Sequence, residues 1–168
     1  MIAHEIFHEI EQFYFREARL FSEHRYREWL QSMVDEEIRY WMPIFEDRLK
    51  NDRRPLPELV PAVYDDDWAD LDDRIARLET GLVWTEDPPS RIRHLVTNVE
   101  AYEAAGSDEI EAYSNFLVCR NRLEREETIL VGGREDRLVR RGGELRIRRR
   151  KILVPQRVVQ DTNLYYFI

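Results

Sequence analysis

A few groups of residues in this sequence have types and spacings that could do chemistry. His4-Glu5-Ile6-Phe7-His8 satisfies the H-E-x-x-H pattern, in which two histidines one helical turn apart bind zinc and the glutamate activates water. On a helical wheel, however, the apolar arc centres between Ile10 and Phe21 and leaves His4 and His8 on the polar side. A third ligand would have to come from Glu23, Glu28 or Glu36, with nothing to choose among them. Glu17 lies inside that apolar arc, between Phe13 and Phe21. Burial would push its carboxyl toward the neutral form, as in a general acid, unless an arginine held it ionised. The abundance of arginine favours the ion pair.

His94 falls in a β-like run, on one face with Val96 and Asn98, and can point into the hollow of a curved sheet. A small lyase or isomerase would keep its base there. Such catalysis needs an oriented partner, and the following strand offers Tyr113 and Asn115, with Asp35 or Glu17 as the available carboxylates. Cys119, beside Val118 and without a histidine nearby in sequence, is expected to be buried and inert. The sequence contains no G-x-S-x-G, P-loop or G-x-G-x-x-G. Read alone, these residues make no finished active site.

The elements that must position them follow from periodicity. Ile6, Ile10, Phe13, Tyr14, Leu20 and Phe21 recur at helical spacing over residues 4–21. Tyr26, Trp29, Leu30, Met33 and Val34 repeat the pattern, so helix is expected to about residue 36. Ile38-Arg39-Tyr40-Trp41-Met42 then turns β-like, giving a strand over about 37–45 interrupted by Pro43. Asn51 to Pro61, with Pro55, Pro57 and Pro61, reads as loop. Trp68, Leu71, Ile75, Leu78 and Leu82 mark a third helix over about 66–81, with Asp65, Asp66 and Asp67 at its positive end and Gly81 as its stop. From about 91 to 160 the pattern is sheet: 92–102, 109–123, 127–131, 134–141 and 144–154. Gly142-Gly143 is a hairpin turn and Gly132-Gly133 a bulge or turn. Helices first and antiparallel strands afterwards predict one α+β domain over 1–168, with a curved sheet wrapped around the helices.

The chain has 168 residues and a formal net charge of −8, enough length for an ordinary core without staples. One cysteine excludes an intramolecular disulfide and every Cys-rich zinc or iron–sulfur site, and fits a reducing cytoplasm. The first residues lack the basic start and continuous apolar core of a secretory signal, and no stretch approaches a membrane span. Charge is two-ended: residues 119–168 carry 13 basic and 7 acidic side chains, and the remainder is strongly acidic. Arg146, Arg148, Arg149, Arg150 and Lys151 could contact phosphates. The acidic remainder would repel a polyanion, so pairing within the fold or docking to a partner subunit is expected instead, with no nucleic acid and no membrane.

Several stretches resemble one family. Glu9-Ile10-Glu11-Gln12-Phe13-Tyr14-Phe15-Arg16-Glu17-Ala18 is similar to the small (beta) subunit of aromatic-ring-hydroxylating dioxygenases of the biphenyl, benzene and polycyclic-arene type. So are Glu37 to Pro43, Asp87-Pro88-Pro89-Ser90-Arg91-Ile92-Arg93-His94-Leu95-Val96-Thr97-Asn98-Val99, Ser114 to Arg125, Arg149 to Leu153, and Asn163 to Phe167. Leu145 and Val154-Pro155 depart from the family pattern. The resemblance implies a cystatin-like or nuclear-transport-factor-like cone. It also implies a hexamer of three large (alpha) and three small subunits, in which the large subunit holds a Rieske [2Fe-2S] cluster and a mononuclear Fe(II). That oxygenase adds both atoms of O2 to an arene, with electrons from NAD(P)H through a reductase and ferredoxin. The residues agree on one point: a Rieske site takes two Cys and two His, and this chain has one Cys and four scattered His. No cofactor, metal or catalytic residue is therefore expected here, with a stand-alone dehydratase or isomerase using His94 as the alternative. Trp68, Trp84, Arg91, Tyr165 and Phe167 are the candidates for subunit contacts.

Overall fold

The computed structural model describes residues 2–44, 50, 53, 60–83, 87–124, 126–155 and 166–168. The N-terminal amphipathic repeat forms α1 (His4–Ser22), which buries Ile10, Tyr14, Glu17, Leu20 and Phe21 along one face. After two turn residues, α2 (Tyr26–Met33) buries Tyr26, Trp29, Leu30 and Met33. The chain becomes extended at Val34, so α2 ends before the expected residue 36 and β1 (Val34–Pro43) starts earlier. The β-branched valine opens a run in which Ile38, Tyr40 and Met42 alternate inward, and burying that alternation outweighs another half-turn of helix.

β2 (Ala62–Asp66) is a strand that periodicity did not predict. Its acids were expected at the start of a helix, but only Asp67 serves there, as N-cap of α3 (Trp68–Glu79) in a reciprocal capping box with Asp70. Asp65 instead receives a two-pronged bond from Arg39 across the β1–β2 pair, at 2.7 and 2.9 Å, and Asp66 binds Arg74. Gly81, at φ 67°, stands just beyond the end of α3, as expected of a stop.

The sheet is completed by β3 (Arg91–Glu103), β4 (Ile110–Arg122), β5 (Glu126–Arg141) and β6 (Glu144–Leu153). Strand order is β2-β1-β6-β5-β4-β3, with β1 and β6 parallel and every other pair antiparallel. Gly142 and Gly143, both at positive φ, make the β5–β6 turn. Register shifts at Thr97/Glu100 and Arg137/Leu138 bend the long strands, so that β3 packs on α1 while β1 packs on α3. The helices sit in the concavity of the sheet, and the core lies between the two layers.

Gly132-Gly133 is neither a bulge nor a turn. β5 runs straight through it, pairing Gly132 with Phe116 and Gly133 with Asn115. The glycine is needed for space: a Cβ at Gly132 would lie 2.5 Å from the Leu153 carbonyl oxygen and 2.6 Å from the Phe116 ring. Gly132→Ala should therefore destabilise the chain by about 1–3 kcal/mol despite stiffening its unfolded state, which a fall in the urea midpoint at fixed protein concentration would reveal.

Candidate functional site

The interior is built around charge. Arg150 on β6, fully buried, aims all five guanidinium N–H groups at acceptors. Nη1 donates to Glu17 Oε1 at 2.8 Å and to the main-chain oxygen of Ile168 at 3.0 Å. Nη2 donates to Glu17 Oε2 at 3.0 Å and Asp136 Oδ2 at 2.7 Å, and Nε to Asp136 Oδ1 at 3.0 Å. Arg134 on β5 adds a second cation, its Nη1 2.8 Å from Glu17 Oε2. Trp29 Nε1 donates to Glu17 at 2.8 Å and the Tyr14 hydroxyl to Asp136 at 3.0 Å. Two carboxylates and two guanidiniums leave the cluster neutral.

The local reasons are simple. On β5, Arg134, Asp136 and Leu138 alternate onto the inner face, and on β6 Arg150 shares that face with Ile152. Register then sets Asp136 opposite Arg150, and Tyr40 of β1 beside them. Burial pushes the Glu17 carboxyl up, but the adjacent Arg150 and Arg134 charges prevail and hold it below its ordinary range. The Tyr14 phenol is pushed well up by burial and by the Asp136 charge. Glu17 is thus the ion-paired carboxylate that the arginine content favoured, not a neutral acid.

The rest of the hollow is occupied by the chain's own segment Tyr166–Ile168. The Phe167 ring lies among Phe21, Tyr26, Trp29 and Tyr40, with the Arg74 guanidinium 4.5 Å from its centre. Tyr40 and Ile168 exchange two hydrogen bonds of 2.9 Å. His94 Nε2 donates to the Phe167 carbonyl at 2.9 Å, which fixes its tautomer and leaves Nδ1 buried without a hydrogen-bond partner. Burial, reinforced by Arg134 and His24 and opposed by the Phe167 bond and Glu17, lowers the His94 pKa to about 4. Asp35 is not its partner, being paired with Arg141. Tyr113 and Asn115 are exposed on the other side of β4, and Asn98, at φ 51° in the β3 bulge, is exposed too. A cleft of about 280 Å³ beside Tyr166 is walled by His24, Tyr26, Arg27 and Ile92 among others, but by neither His94 nor Glu17.

The remaining candidates separate. His4 and His8 are exposed on α1, and among the described residues no group of three His, Cys, Asp or Glu is placed to hold a metal ion. His24 is engaged by the Ser90 carbonyl and the Tyr26 hydroxyl. With Cys119 on the opposite face from His94, the donors present do not fit an iron–sulfur cluster. Cys119 is half-buried rather than fully buried, because its side of β4 faces away from the helices. Most of the basic run on β6 serves the fold: Arg146 caps main-chain oxygens of Gln31 and Val34, Arg148 meets Glu37 and Glu109, and Lys151 meets Glu135, while Arg149 is exposed. Of the contact candidates, Trp68 is half-buried against the core and Arg91 is exposed. Trp84 and Tyr165 lie outside the described residues. Phe167 is wholly inside its own chain and offers no surface, a correction that follows from the aromatic cage around it.

Sequence missed Asp136 as the second carboxylate and the role of Ile168 as an acceptor. The alternation Arg134-x-Asp136-x-Leu138 was the available signal for the first, and the second had none.

Fold and interior together define an α+β cone whose hollow is filled from within. A family model described as "Ring hydroxylating beta subunit" matches residues 16–161. The benzene 1,2-dioxygenase subunit beta of Pseudomonas putida F1 is 39% identical over 99% of this chain and 90% of its own length. The chlorobenzene dioxygenase subunit beta of Cupriavidus sp. PS12 is likewise 39% identical over the same shares of the two chains. Among solved structures, a chain of naphthalene 1,2-dioxygenase with indole bound in its active site superposes with a TM-score of 0.94 at 25% identity, covering 100% of this chain and 88% of that one. The chain belongs to the ring-hydroxylating beta subunit family, and as such is a subunit of an oxidoreductase whose partner is an alpha subunit.

Two consequences are measurable. Glu17→Gln leaves two buried guanidiniums with one carboxylate and should cost about 3–5 kcal/mol of stability in urea unfolding. The lowered His94 pKa makes the unfolded chain bind a proton first as acid is added. Its contribution is full above pH 6.5 and falls as pH drops toward 4, by on the order of 3 kcal/mol in total. In His94→Gln that part of the slope of unfolding free energy against pH should vanish.

Proposed function

We propose that the chain is the small, non-catalytic subunit of the terminal oxygenase in a multicomponent arene dioxygenase, one of three beside three large subunits in a cytoplasmic hexamer. The large subunit of such an oxygenase carries the Rieske cluster and the mononuclear iron. It adds both oxygens of O2 to an aromatic ring to give a cis-dihydrodiol, and draws electrons from NAD(P)H through a reductase and ferredoxin. This chain contributes assembly, with Trp68 and Arg91 among the residues it can offer to neighbours.

One observation supports this reading above the others. The hollow in which a cone-fold enzyme would hold substrate is filled by the Glu17–Arg134–Arg150–Asp136 cluster and by Phe167. A lyase or isomerase using His94 would need that histidine accessible and near neutral in pKa, whereas its Nε2 is spent on a carbonyl and its basicity is lowered by burial.

Native mass spectrometry of the complex that co-purifies with the chain, with iron and acid-labile sulfide assays, tests the proposal. A six-chain assembly whose iron and sulfide track the larger subunit is expected. A homo-oligomer free of any larger subunit would overturn it.

A further inference from the structure

Two polar atoms inside the cone have no hydrogen-bond partner among the described residues, His94 Nδ1 and Arg134 Nη2. His94 is 9% exposed and Arg134 3%, so bulk solvent reaches neither atom. Polar atoms are seldom buried unbonded, because each has given up its water on folding. The two side chains are otherwise fully engaged. Arg134 spends Nε on Ser114 Oγ at 3.2 Å and Nη1 on Glu17 Oε2 at 2.8 Å, and His94 spends Nε2 on the Phe167 carbonyl.

Both side chains converge on one stretch of the interior. Arg134 bonds Glu17, and the His94 ring lies 5.2 Å from the ring of Phe21, one turn further along the same face of α1. In the sheet, register places His94 in the row of Val118 and Leu130, and Arg134 in the row of Ser114. The inner row between them is Val96, Phe116 and Gly132, which supplies no polar side chain. The Arg134 guanidinium carbon lies 5.2 Å from the centre of the Tyr14 ring and 6.0 Å from that of Phe116, so its remaining arm is bounded by aromatic rings. The Arg134 charge also lowers the basicity of His94, so the two groups act on each other across this space.

Their chemistry selects what fits between them. With the proton on Nε2, His94 Nδ1 is a bare lone pair that needs a donor, whereas Arg134 Nη2 is an N–H that needs an acceptor. An anion would satisfy Nη2 and oppose the Nδ1 lone pair. A metal cation would suit Nδ1 and be repelled by the guanidinium. A molecule that donates at one end and accepts at the other answers both, and water does so in the least volume. We propose that the interior holds a buried water bridge, one molecule or two in series, that accepts from Arg134 Nη2 and donates to His94 Nδ1. The bridge keeps the imidazole proton on Nε2, where it bonds the Phe167 carbonyl; the opposite tautomer would turn a bare Nε2 toward that oxygen. Arg134 is thereby a positioning residue for the segment Tyr166–Ile168, acting through water and His94.

Diffraction from crystals of the complex that the chain forms in its host tests the bridge. Water density linking the two atoms through contacts of about 2.7–3.2 Å is expected. Two variants separate the ring nitrogens: glutamine places a donor near the site of Nε2 and nothing at Nδ1, and asparagine places an acceptor near Nδ1 and nothing at Nε2. His94→Gln should keep the bond to the Phe167 carbonyl and lose the water, whereas His94→Asn should keep the water and lose that bond. If a variant fails to fold, the wild-type crystals decide alone. Density with the anomalous signal of chloride, a side chain swung in to meet either atom, or no density overturns the proposal, as does water that persists in His94→Gln. Because both atoms lie inside the chain, the outcome does not depend on which subunits surround it.

Discussion

The rest of the structure depends on Arg150. A guanidinium cannot be deprotonated in a protein, so burying one completely requires that its charge be matched, and Arg150, unlike Arg134 whose Nη2 has no hydrogen-bond partner among the described residues, also finds an acceptor for each N–H. Here the acceptors come from α1 through Glu17, from β5 through Asp136, and from the main chain at Ile168. One side chain therefore sets the depth of α1, the register of β6 on β5, and the seat of residues 166–168. Apolar residues of the same volume could hold these parts together as well.

That solution has a functional consequence. In a cone fold the hollow between helices and sheet is the natural place for a ligand, and here its polar groups are turned on one another. Glu17 is held ionised, His94 is kept neutral and tied to the Phe167 carbonyl, and the Phe167 ring fills the aromatic space between Trp29 and Tyr40. What the chain offers to other molecules is its exterior, which fits a subunit whose family works beside an alpha partner. The same alternation that fills the inner face turns every second residue of β3, β4 and β5 away from the helices, among them the exposed Leu95, Ile129 and Val131.

Much of the fold was legible in the sequence. The amphipathic period of α1, α2 and α3, the stop at Gly81 and the Gly142-Gly143 hairpin are local signals, and the structure keeps them. The end of α2 at Met33 is set by the inward alternation that begins just after it, whereas the missed β2 and the unbroken run of β5 through Gly132-Gly133 depend on partners distant in sequence. For β2 the partner is Arg39 reaching Asp65, and for Gly132 it is the Phe116 ring and the Leu153 carbonyl. Cys119 and Phe167 were misplaced for the same reason, since neither residue's neighbours in sequence tell which side of the sheet it meets.

By itself the sequence determined the α+β class, the family resemblance, the lack of an iron–sulfur donor set and the need of Glu17 for an arginine. Those depend on residue type and short-range period, which the chain carries with it in any conformation. Only the tertiary structure decided which arginines answer Glu17, that Asp136 completes a neutral cluster, and that Phe167 closes the hollow. Arg134 and Arg150 lie 117 and 133 residues from Glu17, and the register of β5 and β6 alone brings them to it. A one-residue slip in either strand would turn the arginine to the opposite face.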